Sequence, residues 1–331
     1  MFVEVKNRIV KLLLIIVILV GLSLWVGFSS KKAAIRTRKF EPTAARVERG
    51  RYLVEGVAHC FECHSEVDWD KPGGQPKEGR KGSGTEFTKY GFPFLVAPNL
   101  TPDTETGAGT WTDEQLARAI REGIGHDGRR LFPVMPYKYF QHMSDEDLAS
   151  VIVYLRSLEP VRNALPKTNL PESMKAGLPA LQPIDEPVPS PDFSNPVTRG
   201  EYLVTLASCS SCHTPWKDGK PNPQLAFAGG TTFKGPWGEV NTANITPDPS
   251  GIGYYDEALF IKTLRTGHVG ARPVSSIMPW GYFRNMTDED LKAIFAYLRT
   301  LPPVKHRVDN TEAPTDCPVC GRRHGHGDMN Q

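Results

Sequence analysis

Apolar residues fall at helical spacing in two matching places along the chain. Ser144 is followed by Leu148, Val151, Ile152, Leu155 and Leu158, with Asp147 three positions after the cap; Thr287, Asp290, Leu291, Ile294, Phe295, Leu298 and Leu301 repeat the pattern. Each predicts an amphipathic helix. Shorter helices are expected from Asp113 to Glu122, stopped by Gly123, and from Asp256 to Thr266, stopped by Gly267. No segment sustains a period of two, so helix and loop are expected to make up nearly everything. A different pattern marks the amino terminus. Leu12 to Phe28 carries no charge, and extension across Lys11 to Ile9 reaches the roughly 20 apolar residues that a membrane-spanning helix needs. Lys11 can snorkel to the headgroups. A cleaved signal peptide is the rival, but the run is long for one and "GFSSKK" offers no small-x-small site. An uncleaved anchor is expected. Lys31, Lys32, Arg36, Arg38 and Lys39 outnumber Lys6, Arg8 and Lys11, a balance that taken alone keeps the following domain in the cytoplasm.

The chain repeats itself in order. "RGRYLVEGVAHCFECH" from Arg49 matches "RGEYLVTLASCSSCH" from Arg199, which is one residue shorter; "NLTPD" from Asn99 returns as "NITPD" from Asn244; and "MPYKYFQHMSDEDLASVIVYLRSL" from Met135 returns as "MPWGYFRNMTDEDLKAIFAYLRTL" from Met278. Between the copies, Glu159 to Pro196 is proline-rich and reads as a linker packed over the surface. The expected division is 1–40 for the anchor and its basic flank, 41–158 and 197–304 for two domains, 159–196 for the linker and 305–331 for a tail. Gly50 and Gly200 lie in what reads as another helix before each first motif. Two explanations stand side by side: a tolerated glycine costing about 1 kcal/mol, or a close helix crossing with Tyr154 or Tyr297 lying across it.

At 331 residues the chain has room for two domains with cores of their own. A formal charge of +2 gives no reason to expect a nucleic-acid partner. All six cysteines, Cys60, Cys63, Cys209, Cys212, Cys317 and Cys320, sit in Cys-x-x-Cys pairs, whereas a disulfide framework joins distant positions. The first two pairs continue into His64 and His213. Cys-x-x-Cys-His is the spacing of covalent haem attachment: two thioethers to one porphyrin, with the adjacent histidine under the iron. Zinc would need a fourth ligand that neither motif supplies nearby, and a thioredoxin-like pair would need a strand–helix context. A repeated motif in register makes haem the expected cofactor at both places. Electron-transfer haem usually carries a sixth ligand, and methionine raises the potential. Met135 and Met278, in loops beside proline, are preferred over Met143 and Met286, which precede the helix caps and suit core filling. His126 and His268 also correspond, but glycine-flanked polar loops more often face solvent or a propionate.

On "CFECH", "CSSCH", "FAGGTTFKGPWGEVNTANITPDPSGIG", "NLTPDTETGAGTWTDEQLARAIREG" and the two "MP" segments with their "YLR" helices, the chain resembles the di-haem cytochromes c, in particular the cytochrome c subunits of membrane-bound dehydrogenases for alcohols and sugar acids. The likeness runs from about Val47 to Leu301. It implies an all-α fold of two tandem class I cytochrome c domains after the transmembrane helix. It also implies two covalently bound haem c groups, one on Cys60, Cys63, His64 and Met135, the other on Cys209, Cys212, His213 and Met278. Those family subunits usually carry three haems, and two motifs are present here. Haem is attached outside the cytoplasm in this family, which overrides the charge balance and places the domains on the periplasmic side of the bacterial membrane. The four propionates would bring the assembled protein close to neutral or acidic.

The function expected is a membrane-anchored electron carrier with no catalytic residues of its own. Its redox partner would be a dehydrogenase or quinol-oxidising complex on the donor side, and a soluble cytochrome or terminal oxidase on the acceptor side. A di-haem peroxidase or thiosulfate dehydrogenase is the alternative; the first needs an iron with an open position and the second a cysteine ligand. The tail segment "CPVCGRRHGHGD" lacks the histidine after its Cys-x-x-Cys. A disulfide or a reduced unstructured tail is preferred there over zinc held by Cys317, Cys320, His324 and His326. Lys71 to Phe92 is glycine- and lysine-rich; a solvated loop is preferred over a basic docking face.

Overall fold

A computed structural model describes residues 39–270 and 272–308, with the pairs 315–316 and 323–324. The first repeat holds α1 (Ala44–Tyr52), α2 (Cys60–Cys63), α3 (Asp113–Glu122), α4 (Tyr137–Phe140) and α5 (Asp145–Arg156). One short helix, α6 (Glu172–Ala176), interrupts the linker. The second repeat follows with α7 (Pro196–Leu206), α8 (Cys209–His213), α9 (Glu257–Thr266), α10 (Trp280–Phe283) and α11 (Asp288–Thr300).

Two parts of the expected architecture need correction. The fold is not all-α: two-stranded antiparallel ladders pair β1 (Val67–Asp68) with β2 (Gln75–Pro76), β3 (Thr85–Glu86) with β4 (Val96–Ala97), β5 (Trp216–Lys217) with β6 (Lys220–Pro221), β7 (Thr232–Gly235) with β8 (Gly238–Asn241), and β9 (His268–Val269) with β10 (Arg272–Pro273). Strands of two to four residues are too short to show a period of two in sequence. The second correction concerns the span. Among the described residues no helix is long and apolar enough to cross a membrane, and the Leu12–Phe28 segment lies outside them, as do the side chains of Cys317, Cys320, His324 and His326.

Helix ends follow their cap residues. Thr112 and Gln115 form a reciprocal capping box on α3, and Gly123 closes it at φ 69°. Asp256 caps α9 rather than opening it, accepting from the Leu259 N–H at 2.7 Å, so that helix starts one residue later than periodicity alone predicts. The extra residue of the first repeat is absorbed by a π-helical turn, Leu53–Val57, continuing α1; an inserted residue in a helix commonly appears as such a turn. The shorter second copy stays regular through Leu206.

Within each repeat, the first and last helices cross at glycine. A β-carbon on Gly50 would stand 2.0 Å from the Ser150 carbonyl oxygen, and one on Gly200 would stand 1.9 Å from that of Ala293. Tyr154 and Tyr297 lie over the two crossings, with their own β-carbons 2.5 and 2.8 Å from those positions. The close-crossing explanation therefore holds, and the tolerated-glycine one does not.

The two repeats share one continuous core. Leu53, Val54, Val57, Phe61, Val151 and Ile152 of the first are contiguous with Leu203, Leu206, Phe283, Met286 and Leu291 of the second. Across this core the caps of α5 and α11 are completed in exchange. Ser144 Oγ accepts the Asp147 N–H, as a capping serine should. The Asp147 carboxylate does not fold back; it takes Arg49 at 2.8 Å through both oxygens and the Tyr202 hydroxyl of the other repeat at 2.8 Å. Tyr202 in turn accepts the Ser144 N–H at 3.0 Å. The mirror set joins Tyr52 to Asp290 and to the Thr287 N–H, with Arg199 on the same carboxylate.

Candidate functional site

Each Cys-x-x-Cys-His motif forms a single helical turn, entered through a residue in the left-handed region: His59 at φ 37° and Ser208 at φ 49°. Neither is glycine, so a strained backbone recurs at the same point of both copies, as it does at functional sites. The turn puts both cysteines of a motif on neighbouring helical positions with the histidine at its end. Cys60, Cys63, Cys209 and Cys212 are free thiols, each partly exposed. Burial pushes the Cys60 and Cys209 thiols up to about 12, and raises Cys63 and Cys212 as well.

His64 and His213 are buried, and burial holds both imidazoles below their ordinary value. Each meets one backbone carbonyl through Nδ1: Pro98 at 2.9 Å for His64 and Ala243 at 2.7 Å for His213. A carbonyl can only accept, so Nδ1 carries the proton and Nε2 keeps a free lone pair, the arrangement of a metal-ligating histidine. Sequence reasoning noticed the "NLTPD" and "NITPD" repeats without giving them a task. The structure does. Asn99 accepts from the Thr101 N–H and hydroxyl and donates to the Val161 carbonyl at 2.7 Å; Asn244 does the same with Thr246 and Val304. These two buried asparagines fix the turn that begins immediately after Pro98 and Ala243, and so fix the carbonyls that orient the histidines.

The methionines separate clearly. Met143 and Met286 are 1% and 2% exposed and belong to the shared core. Met135 and Met278 are half-buried at the core edge, in loops of matching backbone: their carbonyls accept the Tyr137 N–H at 2.8 Å and the Trp280 N–H at 2.7 Å. His126 stacks on Trp111 with ring centroids 4.1 Å apart, while His268 is exposed beside the Thr266 carbonyl; the two do not share an environment. Lys77, Arg80 and Lys81 of the glycine-rich loop are engaged by Glu66, Glu66 and Glu55.

The motifs of the two repeats lie against each other. His59 Nε2 is 3.4 Å from the Ala207 carbonyl oxygen, and the Ser210 hydroxyl donates to Tyr139 of the first repeat at 3.3 Å. The His59 ring packs edge-on against Phe283 at 5.5 Å and close to Tyr282 at 6.4 Å.

These residues fit haem better than zinc. Among the described residues no three His, Cys, Asp or Glu side chains converge. Among the described residues, five buried side-chain polar atoms find no partner: Thr231 Oγ1, Trp237 Nε1, Ser275 Oγ, Trp280 Nε1 and Tyr282 OH. Buried polar atoms are nearly always satisfied, and these five lie in the second repeat on segments either side of Ala243 and next to Met278. Bound groups with acceptor oxygens, such as porphyrins with their propionates, would offer such donors a partner. The thiols and imidazoles would hold them, and the iron would supply reversible one-electron chemistry.

The relatives point the same way. The chain is 32% identical to the fructose dehydrogenase cytochrome subunit of Gluconobacter japonicus over 81% of its own length and 56% of that protein's. It is 29% identical to the cytochrome c subunit of the quinone-dependent alcohol dehydrogenase of Gluconacetobacter polyoxogenes, over 79% and 57%. A di-haem c-type cytochrome of Cereibacter sphaeroides is 27% identical over 67% of this chain and 77% of its own. The chain thus spans a little over half the length of the dehydrogenase subunits it resembles. The cytochrome c family model matches twice, at residues 47–159 and 197–302, covering both turns, both carbonyl clamps and both methionine loops: the chain belongs to the cytochrome c family.

Proposed function

We propose that this chain is a one-electron carrier holding two covalent haem c groups, one per repeat, that passes electrons between a dehydrogenase or quinol-oxidising donor and a soluble cytochrome or terminal oxidase. The observation that supports it most directly is the abutment of the two attachment turns through His59 and Ala207. Redox centres held by adjoining turns exchange electrons without a mobile intermediary. Cys60, Cys63, His64 and Met135 serve one haem; Cys209, Cys212, His213 and Met278 serve the other. Were His64 with Met135 and His213 with Met278 to hold the two irons, no position would be left for a substrate, which separates this reading from a peroxidase. The domains work outside the cytoplasm, where haem is attached in this family; fractionation of cells producing the tagged protein tests that location.

Haem quantification with a reduced-minus-oxidised spectrum tests the reading as a whole. Two thioether-linked haems per chain, both low-spin when oxidised, are expected. One haem, none, or a high-spin component with peroxide turnover would overturn it.

A further inference from the structure

The duplicated hairpin after each attachment turn is used differently in the two repeats. In the first, β1–β2 is spent inside the molecule: the Gly73 N–H donates to Ser276 Oγ at 3.3 Å, Trp69 packs on Trp237 with ring centroids 4.9 Å apart, and Lys71 is paired with Asp68. In the second, β5–β6 meets nothing among the described residues that covers it. Asp218 and Gly219 both have positive φ, 53° and 73°, so the hairpin closes through a tight two-residue turn of fixed shape. Trp216 is 62% exposed. Tryptophan, with tyrosine and arginine, is enriched at the energetic centres of interfaces.

Charge adds direction. Register sets Lys217 opposite Lys220; like charges in that position repel, and neither lysine is ion-paired among the described residues. The hairpin tip thus sets two lysines that form no ion pair among the described residues, with Asp218 in the turn between them, beside an exposed aromatic. Trp216 also follows His213 by only three positions, which keeps a docked molecule next to the second attachment turn.

We propose that the β5–β6 hairpin is the docking site for an electron-transfer protein with an acidic contact face, Trp216 seating in an apolar spot on that face and Lys217 and Lys220 meeting its carboxylates. The proposal rests on the electron-carrier reading, so haem content is measured first; a chain without two haems refutes that reading, whereas the tests below concern docking alone.

The probe is plastocyanin, an acidic blue-copper protein, as oxidant of the reduced full-length holoprotein: one electron leaves the chain and Cu(II) becomes Cu(I). In stopped flow, the K217E/K220E double variant should react about tenfold more slowly than the parent at low ionic strength, with the gap closing as salt is added. W216A should be slower at every salt concentration. Oxidation by uncharged benzoquinone and both reduction potentials should be unchanged in all variants. The proposal is overturned if the plastocyanin rates stay at the parental value, if K77E/K81E slows the reaction as much as K217E/K220E, or if the benzoquinone rate falls in parallel. It is equally overturned if sedimentation shows a parental dimer that the hairpin variants dissociate, since the occupant would then be a second copy of this chain.

Discussion

Each repeat holds two methionines, told apart in sequence by their place beside proline or before a helix cap, and burial separates them in the same way. Met143 and Met286 touch the shared core on all sides, so M143A or M286A should cost about 2–5 kcal/mol in stability through the cavity left behind while leaving the haem spectrum unchanged. M135A or M278A should do the reverse, turning one haem high-spin and lowering its potential with little loss of stability. Chemical denaturation and absorption spectra of the four variants separate the outcomes; a spectral change in M143A with none in M135A would reassign the ligand. The cysteines and histidines of both turns were legible from spacing alone. The carbonyls of Pro98 and Ala243, and the asparagines that hold them, were not: a backbone acceptor has no residue-type signature, and the only trace was an Asn-x-Thr-Pro-Asp repeat whose partner lies 34 or 30 residues away from the histidine it serves.

At the level of elements, the helix crossings are governed by a missing atom. Gly50 and Gly200 let α1 meet α5 and α7 meet α11 at backbone contact. G50A has nowhere to put its methyl group, because the obstacle is a carbonyl oxygen rather than the end of a flexible side chain. A loss of about 3 kcal/mol is expected from the forced separation of the helices, readable as a fall in the thermal midpoint; a midpoint within error of the parent would show that the crossing can relax. Helices were well predicted because their caps and apolar stripes are local. The hairpins were missed because their pairing is two to four residues long, and the π-turn was visible only as a one-residue difference between copies, which the packing of the helix places at Leu53–Val57.

For the molecule as a whole, the decisive feature is that each repeat braces the start of the other's last helix. Ser144 and Thr287 cap α5 and α11, and Tyr202 and Tyr52 reach across from the other repeat to the N–H of the cap residue and to the carboxylate of Asp147 or Asp290. Burial raises both phenols above their ordinary value of about 10. A group whose folded pKa exceeds its unfolded one contributes stability that is fully present below the unfolded value and is lost as pH rises towards the folded one. Stability should therefore decline above about pH 10. The Y52F/Y202F variant should be less stable near neutrality, by about 1.5–3 kcal/mol for each hydrogen bond to a carboxylate, and should show a flatter alkaline decline. Melting curves by circular dichroism across the alkaline range test this; parallel declines in parent and variant would remove the tyrosines from the account. By itself the sequence determined the duplication, the attachment turns, the long helices and their caps, because those depend on residues close together in the chain. Only the tertiary structure decided which lysines are ion-paired, how the histidines are oriented and how the repeats complete one another, because each of those depends on side chains and carbonyls that are brought together from distant parts of the chain when it packs.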